Sequence, residues 1–144
     1  MKISCARGVP EGLKMLAERE HRRYETEHGV ACDYSPWSVV AECDGDVAGI
    51  MRGITCYAEI YIDDIVVLPE YRGRGIGRSL VEQLESHFRG QGFNNISLVT
   101  SAFQAPGFYE KCGFNLEFVR VNEKEPKLTK YFFVKFLGDD ERVR

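Results

Sequence analysis

Three arginines and three glycines interleave between positions 72 and 78, in the run Arg72-Gly73-Arg74-Gly75-Ile76-Gly77-Arg78. Each guanidinium carries a fork of donors that matches phosphate oxygens. Glycine lets the backbone turn and come close to a ligand. From Ile76 onward, Ile76, Leu80, Val81, Leu84 and Phe88 fall at helical spacing, so the cluster sits where a helix begins. The first turn of a helix has N–H groups without intrahelical acceptors, and they point at whatever lies above them. The chemistry on offer is anion binding, and a pyrophosphate fits it. The competing reading is a tight strand-to-helix connection with solvated arginines. Counting excludes two familiar phosphate motifs. A dinucleotide fingerprint begun at Gly73 needs glycine where Arg78 stands, and a Walker loop through Gly77-Arg78-Ser79 needs glycine at Arg72 and lysine at Arg78.

The elements that position this turn are legible on both sides. Upstream, Ile60, Ile62, Ile65, Val66 and Val67 suit a buried strand, and Pro69 ends it. The alternation along that strand breaks once. Ala58, Ile60 and Ile62 alternate with Glu59, Tyr61 and Asp63, and the apolar phase then resumes at Ile65 and Val67, one residue out of step. A β-bulge near Asp63-Asp64 restores the pattern and keeps Asp64 out of the core. An earlier strand places Trp37, Val39, Ala41 and Cys43 on one face, Asp44-Gly45 signals a hairpin turn, and Val47 to Thr55 returns. Gly49 and Gly53 weaken that return strand or mark close backbone approach.

The flanking segments follow the same rules. Met1 to Ala6 reads as a short strand, and Pro10 to His28 as a helix with Leu13, Leu16, Ala17 and Tyr24 inward, ended by Gly29. His21, Glu25 and His28 share one helix face at a spacing that suits metal, but a solvated face accounts for them, and no metal is expected. Downstream, Gly90 and Gly92 close the second helix. Asn95 to Thr100 is a strand, expected parallel to its predecessor because a helix joins them. Pro106 opens and Gly113 caps a short helix. Phe114 to Val121 and Lys130 to Leu137 form a final antiparallel pair, before a frayed tail from Gly138 to Arg144.

Arg72 to Gly77 also reads as R-x-x-G-x-G, and Ala105-Pro106-Gly107-Phe108-Tyr109-Glu110-Lys111-Cys112-Gly113-Phe114 as A-x-x-x-Y-x-x-x-G-F. With the approach Ile65 to Arg72, these two motifs resemble the signature of the GNAT superfamily of N-acetyltransferases, from Trp37 to about Phe136. The resemblance implies an α/β (α+β) fold: a mixed, mostly antiparallel central sheet of six to seven strands, a splayed parallel pair, helices on both faces, and one domain over residues 1–144. It implies acetyl-coenzyme A (acetyl-CoA) as co-substrate. Arg72, Gly73, Arg74, Gly75, Ile76, Gly77 and Arg78 would grip its pyrophosphate. Ile65, Val66 and Val67 would offer backbone groups to the pantetheine arm in the gap that the bulge opens. Ala102 stands where the superfamily often has asparagine, so that one pantetheine contact is not implied. Gly29 to Pro36 would border the acceptor pocket, with Asp33 and Tyr34 either touching substrate or serving as plain loop residues.

Acetyl transfer from a thioester to an amine needs a held donor, a hydrogen-bond donor for the carbonyl oxygen, an unprotonated amine and a proton for the leaving thiolate. The backbone N–H of Val66 beside the bulge suits the oxygen. Tyr109 matches the superfamily tyrosine; a phenol with a reference pKa of about 10 stays protonated at neutral pH and can serve the sulfur. Its alternative is a half-buried helix residue. For the base, Glu59, Tyr61, Asp63, Asp64 and water are candidates, Asp63 first and Asp64 second. The two aspartates could equally attract a cationic substrate without taking its proton. Cys112 reads as packing rather than a nucleophile, so transfer is expected to be direct, through a ternary complex.

Composition limits the partners. The chain has 144 residues and a formal net charge of −3, with a pI of about 5.7, which disfavours nucleic acid. No apolar run spans a bilayer, and the start lacks the apolar stretch of a signal peptide. Five cysteines without a C-x-x-C pattern suit free thiols in a reducing cytoplasm. The open edges of a small sheet make a homodimer an expectation. Glu42, Asp44, Asp46, Glu59, Asp63 and Asp64 suggest an acidic cleft and a small cationic amine, such as a polyamine or an aminoglycoside-like compound. The alternatives are acetylation of a protein N-terminus or lysine, and a non-catalytic coenzyme-A-binding module.

Overall fold

The computed structural model describes residues 1–31 and 34–138. The chain divides into two units, Met1–Asp33 and Tyr34–Arg144, each described here by itself. The expected features at Cys32, Asp33 and 139–144 lie outside the described residues.

In the first unit, helix α1 runs Leu13–Glu27, close to expectation, and Gly29 follows it in the left-handed region at φ 68°. Met1 to Ala6, expected as a strand, is irregular and exposed. Leu13, Leu16, Ala17 and Tyr24, expected inward, are exposed, because among this unit's described residues no other regular element covers them. Within the helix, His21 Nε2 lies 3.0 Å from Glu25 Oε1, and His28 Nδ1 lies 2.8 Å from the Tyr24 carbonyl.

The second unit is a six-stranded sheet in the order β1-β2-β3-β4-β6-β5. Its strands are β1 Ser35–Cys43, β2 Asp46–Cys56, β3 Glu59–Val67, β4 Asn95–Ser101, β5 Asn115–Arg120 and β6 Lys130–Phe136. Every neighbouring pair is antiparallel except β3 and β4. The β1–β2 turn carries Asp44 at φ 51° and Gly45 at φ 86°, the two positive values a tight hairpin needs. Helix α2, Ile76–Phe88, crosses from β3 to β4, and helix α3, Pro106–Lys111, lies between β4 and β5.

The core lies on the sheet face that carries α2 and α3. Ile60, Ile62, Ile96, Leu98 and Phe133 meet Leu80, Val81, Leu84 and Phe88 of α2, with Tyr109, Cys112 and Phe114 alongside. Met51, Ile60, Ile96 and Leu84 are almost wholly inaccessible. The helical spacing seen in the sequence is the spacing of the buried side chains of α2. The other face of this sheet leaves Val40, Ile50, Tyr61, Val66 and Val99 exposed. The fold is thus the expected mixed, mostly antiparallel α/β arrangement with one parallel pair, and its six strands fall within the expected six to seven.

Candidate active site

Two backbone features carry the site. The first is the bulge in β3. Arg52 pairs with Asp64 and Gly53 with Ile62, so Asp63 is the extra residue, where the phase break predicts it. Before the bulge Ile60 and Ile62 face the core; after it Ile65 and Val67 do, while Asp64 joins Tyr61 and Val66 on the open face. Gly53 makes this possible. A Cβ there would sit 1.8 Å from the Tyr61 carbonyl oxygen and 2.5 Å from Trp37 Cζ2. Gly49 shows the milder form of the same approach, 2.9 Å from the Val66 oxygen.

The second feature is the splay. β3 and β4 pair only from Glu59–Asn95 to Ile62–Leu98. Beyond the bulge the two strands part, so β3 turns an unpaired edge toward the gap along residues 63–67. Unpaired strand groups need partners, and an extended amide-bearing ligand supplies them by strand addition. Ile65, Val66 and Val67 lie along this unpaired edge.

The glycine-arginine turn follows β3 through a single 3₁₀ turn, Pro69–Tyr71. Gly73 and Gly75 adopt φ 75° and 79°, and a Cβ on either would meet nothing. Positive φ, not space, requires glycine there. Gly75 caps α2 with no side-chain hydrogen bond, so the helix presents bare N–H groups. The arginines divide. Arg72 Nε donates to the Val67 carbonyl at 2.9 Å, and the Arg74 guanidinium lies 5.4 Å over the Tyr71 ring. Arg78 Nη2 donates to the Lys111 carbonyl at 3.0 Å and its Nε lies 3.7 Å from Glu82. Arg78 thus ties α2 to α3. Gly77 serves that same junction, since a Cβ would press to 3.0 Å from Phe108 Cζ.

Tyr109 is 7% exposed, its ring packed near Phe108, Phe114 and Phe133 at centroid distances of 5.1, 5.9 and 5.9 Å. Ala105, at φ 63° and ψ 62°, turns the chain into the short helix that carries it. Burial, with help from Cys112 and Asp64, pushes the Tyr109 phenol up to about 12. The phenol is thereby held protonated at neutral pH. Burial also pushes the Cys112 thiol up, which suppresses the thiolate a nucleophile would need.

The carboxylates part company. Arg52 Nε donates to Asp64 Oδ1 at 2.9 Å and Oδ2 at 3.0 Å, and Nη2 to Oδ2 at 2.8 Å. These bonds hold Asp64 below the usual carboxylate range. Tyr61 donates its hydroxyl to Glu59, which also accepts from Asn95 Nδ2 at 3.2 Å, and the Glu59 bond keeps the Tyr61 phenol up. Asp63 is exposed and lies in no hydrogen bond or ion pair among the described residues. The expected acidic cleft does not form as one place. Asp44 and Asp46 lie at the β1–β2 turn, near the Val67 end of β3, and Glu59 begins that strand, roughly 26 Å away at strand rise. Only Asp63 and Asp64 stand at the bulge. Among the described residues no helix is long and apolar enough to cross a membrane.

The sequence reading missed Arg52. The signal was present: a two-residue loop at Tyr57-Ala58, with Tyr57 at φ 52°, fixes the β2–β3 register and brings Arg52 opposite the two aspartates.

Known proteins resemble this chain in sequence and in fold. The model of the acetyltransferase (GNAT) family matches residues 10–114. Blasticidin-S acetyltransferase of Streptomyces morookaense is 31% identical over 65% of this chain and 68% of its own length. Glucosamine 6-phosphate N-acetyltransferase of Trypanosoma brucei brucei is 38% identical over 47% of this chain, and that match spans only 42% of the relative. The crystal structure of an acetyltransferase from Bacillus cereus ATCC 14579 superposes with a TM-score of 0.76 at 23% identity, covering 93% of this chain and 98% of that one. With a bulged, splayed parallel pair running into a glycine-arginine helix start, and a family match across most of its length, the chain belongs to the GNAT family of acetyltransferases, which take their acetyl group from acetyl-CoA.

Proposed function

We propose that the chain transfers the acetyl group of acetyl-CoA directly to a primary amine of a small cationic molecule, as a single cytoplasmic domain over residues 1–144. The observation that carries this reading is the splay beyond Ile62 and Leu98, which leaves a slot for an amide-bearing arm beside two carboxylates. Arg72, Arg74 and the N–H groups of Gly73 to Arg78 receive the pyrophosphate. The Val66 N–H receives the thioester oxygen as charge develops on it. The amine lone pair forms the C–N bond, the C–S bond breaks, and the thiolate takes the Tyr109 proton. The amine proton passes to Asp63, directly or through water. Asp63 and Asp64 place negative charge where an alkylammonium acceptor must arrive. Blasticidin-S acetyltransferase, among the relatives, is consistent with a small-molecule acceptor.

A second reading has its own support. A hollow of about 540 Å³ at the β5–β6 hairpin is lined by Arg120, Lys124 and Lys130 with a single carboxylate, Glu123. It favours an acceptor that bears a phosphate or carboxylate as well as its amine, as glucosamine 6-phosphate does. The test is release of free thiol from acetyl-CoA across a panel of polyamines, aminoglycosides, amino-sugar phosphates and peptides. Release with cationic small amines supports the first reading, and release confined to phosphorylated amines selects the second. Peptide-only release, or acetyl-CoA binding with no release at all, overturns both.

A further inference from the structure

We infer that Arg52 is a positioning residue for this transfer: it fastens β3 just past the bulge through Asp64, and so withdraws that carboxylate from proton transfer and leaves Asp63 to act. The inference rests on the acetyl-transfer reading of the β3 site. Its ground is the geometry of one pair. The register shift falls between Arg52 and Gly53, so Arg52 is the residue that receives the strand as it emerges from the bulge. Three bonds of 2.8–3.0 Å engage both oxygens of Asp64. Such a bidentate fork fixes direction as well as distance. A proton placed on Asp64 would forfeit the ion pair, so Asp64 is a poor acceptor for the amine's proton.

The surroundings leave this arrangement alone. Opposite Arg52 on β1 stands Ser38, which is uncharged. On β3, Tyr61 and Glu59 bond to each other. Among the described residues, Arg52 is the cation paired with Asp64, and the Asp63 charge acts on it as well. From α3, Tyr109 senses the Asp64 charge. A lasting anion at Asp64 therefore favours the protonated phenol. One arginine fixes the bulge and assigns different work to two adjacent aspartates.

The test is a charge-restoration series read by pH profile. Arg52→Gln leaves two bare carboxylates side by side, so the acid limb of kcat/KM moves up by about half a pH unit, the Coulomb effect of one neighbouring charge in a water-like medium. Arg52→Gln/Asp64→Asn brings the limb back. Asp64→Asn alone keeps the limb, whereas Asp63→Asn removes it. A limb that stays put in Arg52→Gln, or that disappears in Asp64→Asn, overturns the inference. A loosened fold lowers the amount of active enzyme without moving the limb, so partial unfolding does not mimic the result. A second readout needs no turnover. The Asp64 side-chain carboxyl resonance, followed by NMR, titrates below the ordinary carboxylate range in the wild type and moves up in Arg52→Gln. If the wild type releases no thiol with any amine, the acetyl-transfer reading fails, and the NMR arm alone decides the pairing. No upward movement there sinks it.

Discussion

Gly53→Ala is the sharpest single test of how the bulge is built. The added methyl carbon would lie 1.8 Å from the Tyr61 carbonyl oxygen, where real contacts stay beyond 3.0 Å. The difference, 3.0 − 1.8, requires β2 and β3 to part by at least 1.2 Å. The obstacle is backbone, so no side-chain rotation relieves it, and Trp37 Cζ2 at 2.5 Å closes the other way out. Overpacking of this kind costs about 1–3 kcal/mol, which lowers Tm by roughly 3–10 °C for a chain of this size. The functional loss should be larger. A displacement of about 1 Å at a reacting centre costs on the order of 100-fold in rate, and the shift falls beside Asp63 and the start of the unpaired edge. Thermal denaturation reads the first effect and kcat/KM from thiol release reads the second. Gly107→Ala is the control, since its Cβ meets nothing and its φ is unstrained; it should leave Tm unchanged or raised. A Gly53→Ala protein with wild-type Tm and kcat/KM would refute the claim that glycine there permits the bulge.

Leu84→Ala, at 1% exposure in the α2–sheet core, should cost about 2–5 kcal/mol, measured by urea unfolding. Arg72→Ala and Arg74→Ala should each weaken acetyl-CoA binding by about 1.5–3 kcal/mol, the range for charge-assisted bonds; calorimetry with unchanged Kd would remove them from the cradle. Tyr109 is raised in the folded state, so its contribution to stability is complete below about pH 10 and is lost as pH rises toward about 12. Tyr109→Phe should therefore flatten part of the alkaline fall in stability, and should lower turnover more than donor affinity. Equal turnover would deny the phenol its proton-donor role.

Much of the sheet was legible because its rules are local. The phase slip between Ile62 and Ile65 announced the bulge, since period two admits one repair. Asp44-Gly45 fixed the first hairpin, and Ile76 through Phe88 gave the face of α2. What escaped was pairing across the chain. The six acidic residues suggested one cleft because their strands had not been placed in register, and the register spreads them from the β1–β2 turn to the Glu59 end of β3. Arg52 escaped for the same reason. Arg78 and Gly77 read as ligand contacts from their motif, and what the motif could not show is that Arg78 also bonds the Lys111 carbonyl and Gly77 admits Phe108. Met1 to Ala6 reads as a strand, but of its six residues only Ile3 is a strand-favouring type, and the segment is irregular.

The junction between α2 and α3 has a mechanical consequence. Phe108 sits against Gly77, and its chain neighbour is Tyr109. Arg78 clasps the far end of the same six-residue helix through the Lys111 carbonyl. On the proposed acetyl-transfer reading, a shift in the glycine-arginine turn would be passed, through one ring and one guanidinium, to the Tyr109 phenol. On that same reading, seating the carrier and placing the acid are one event, because both contacts run directly between α2 and α3.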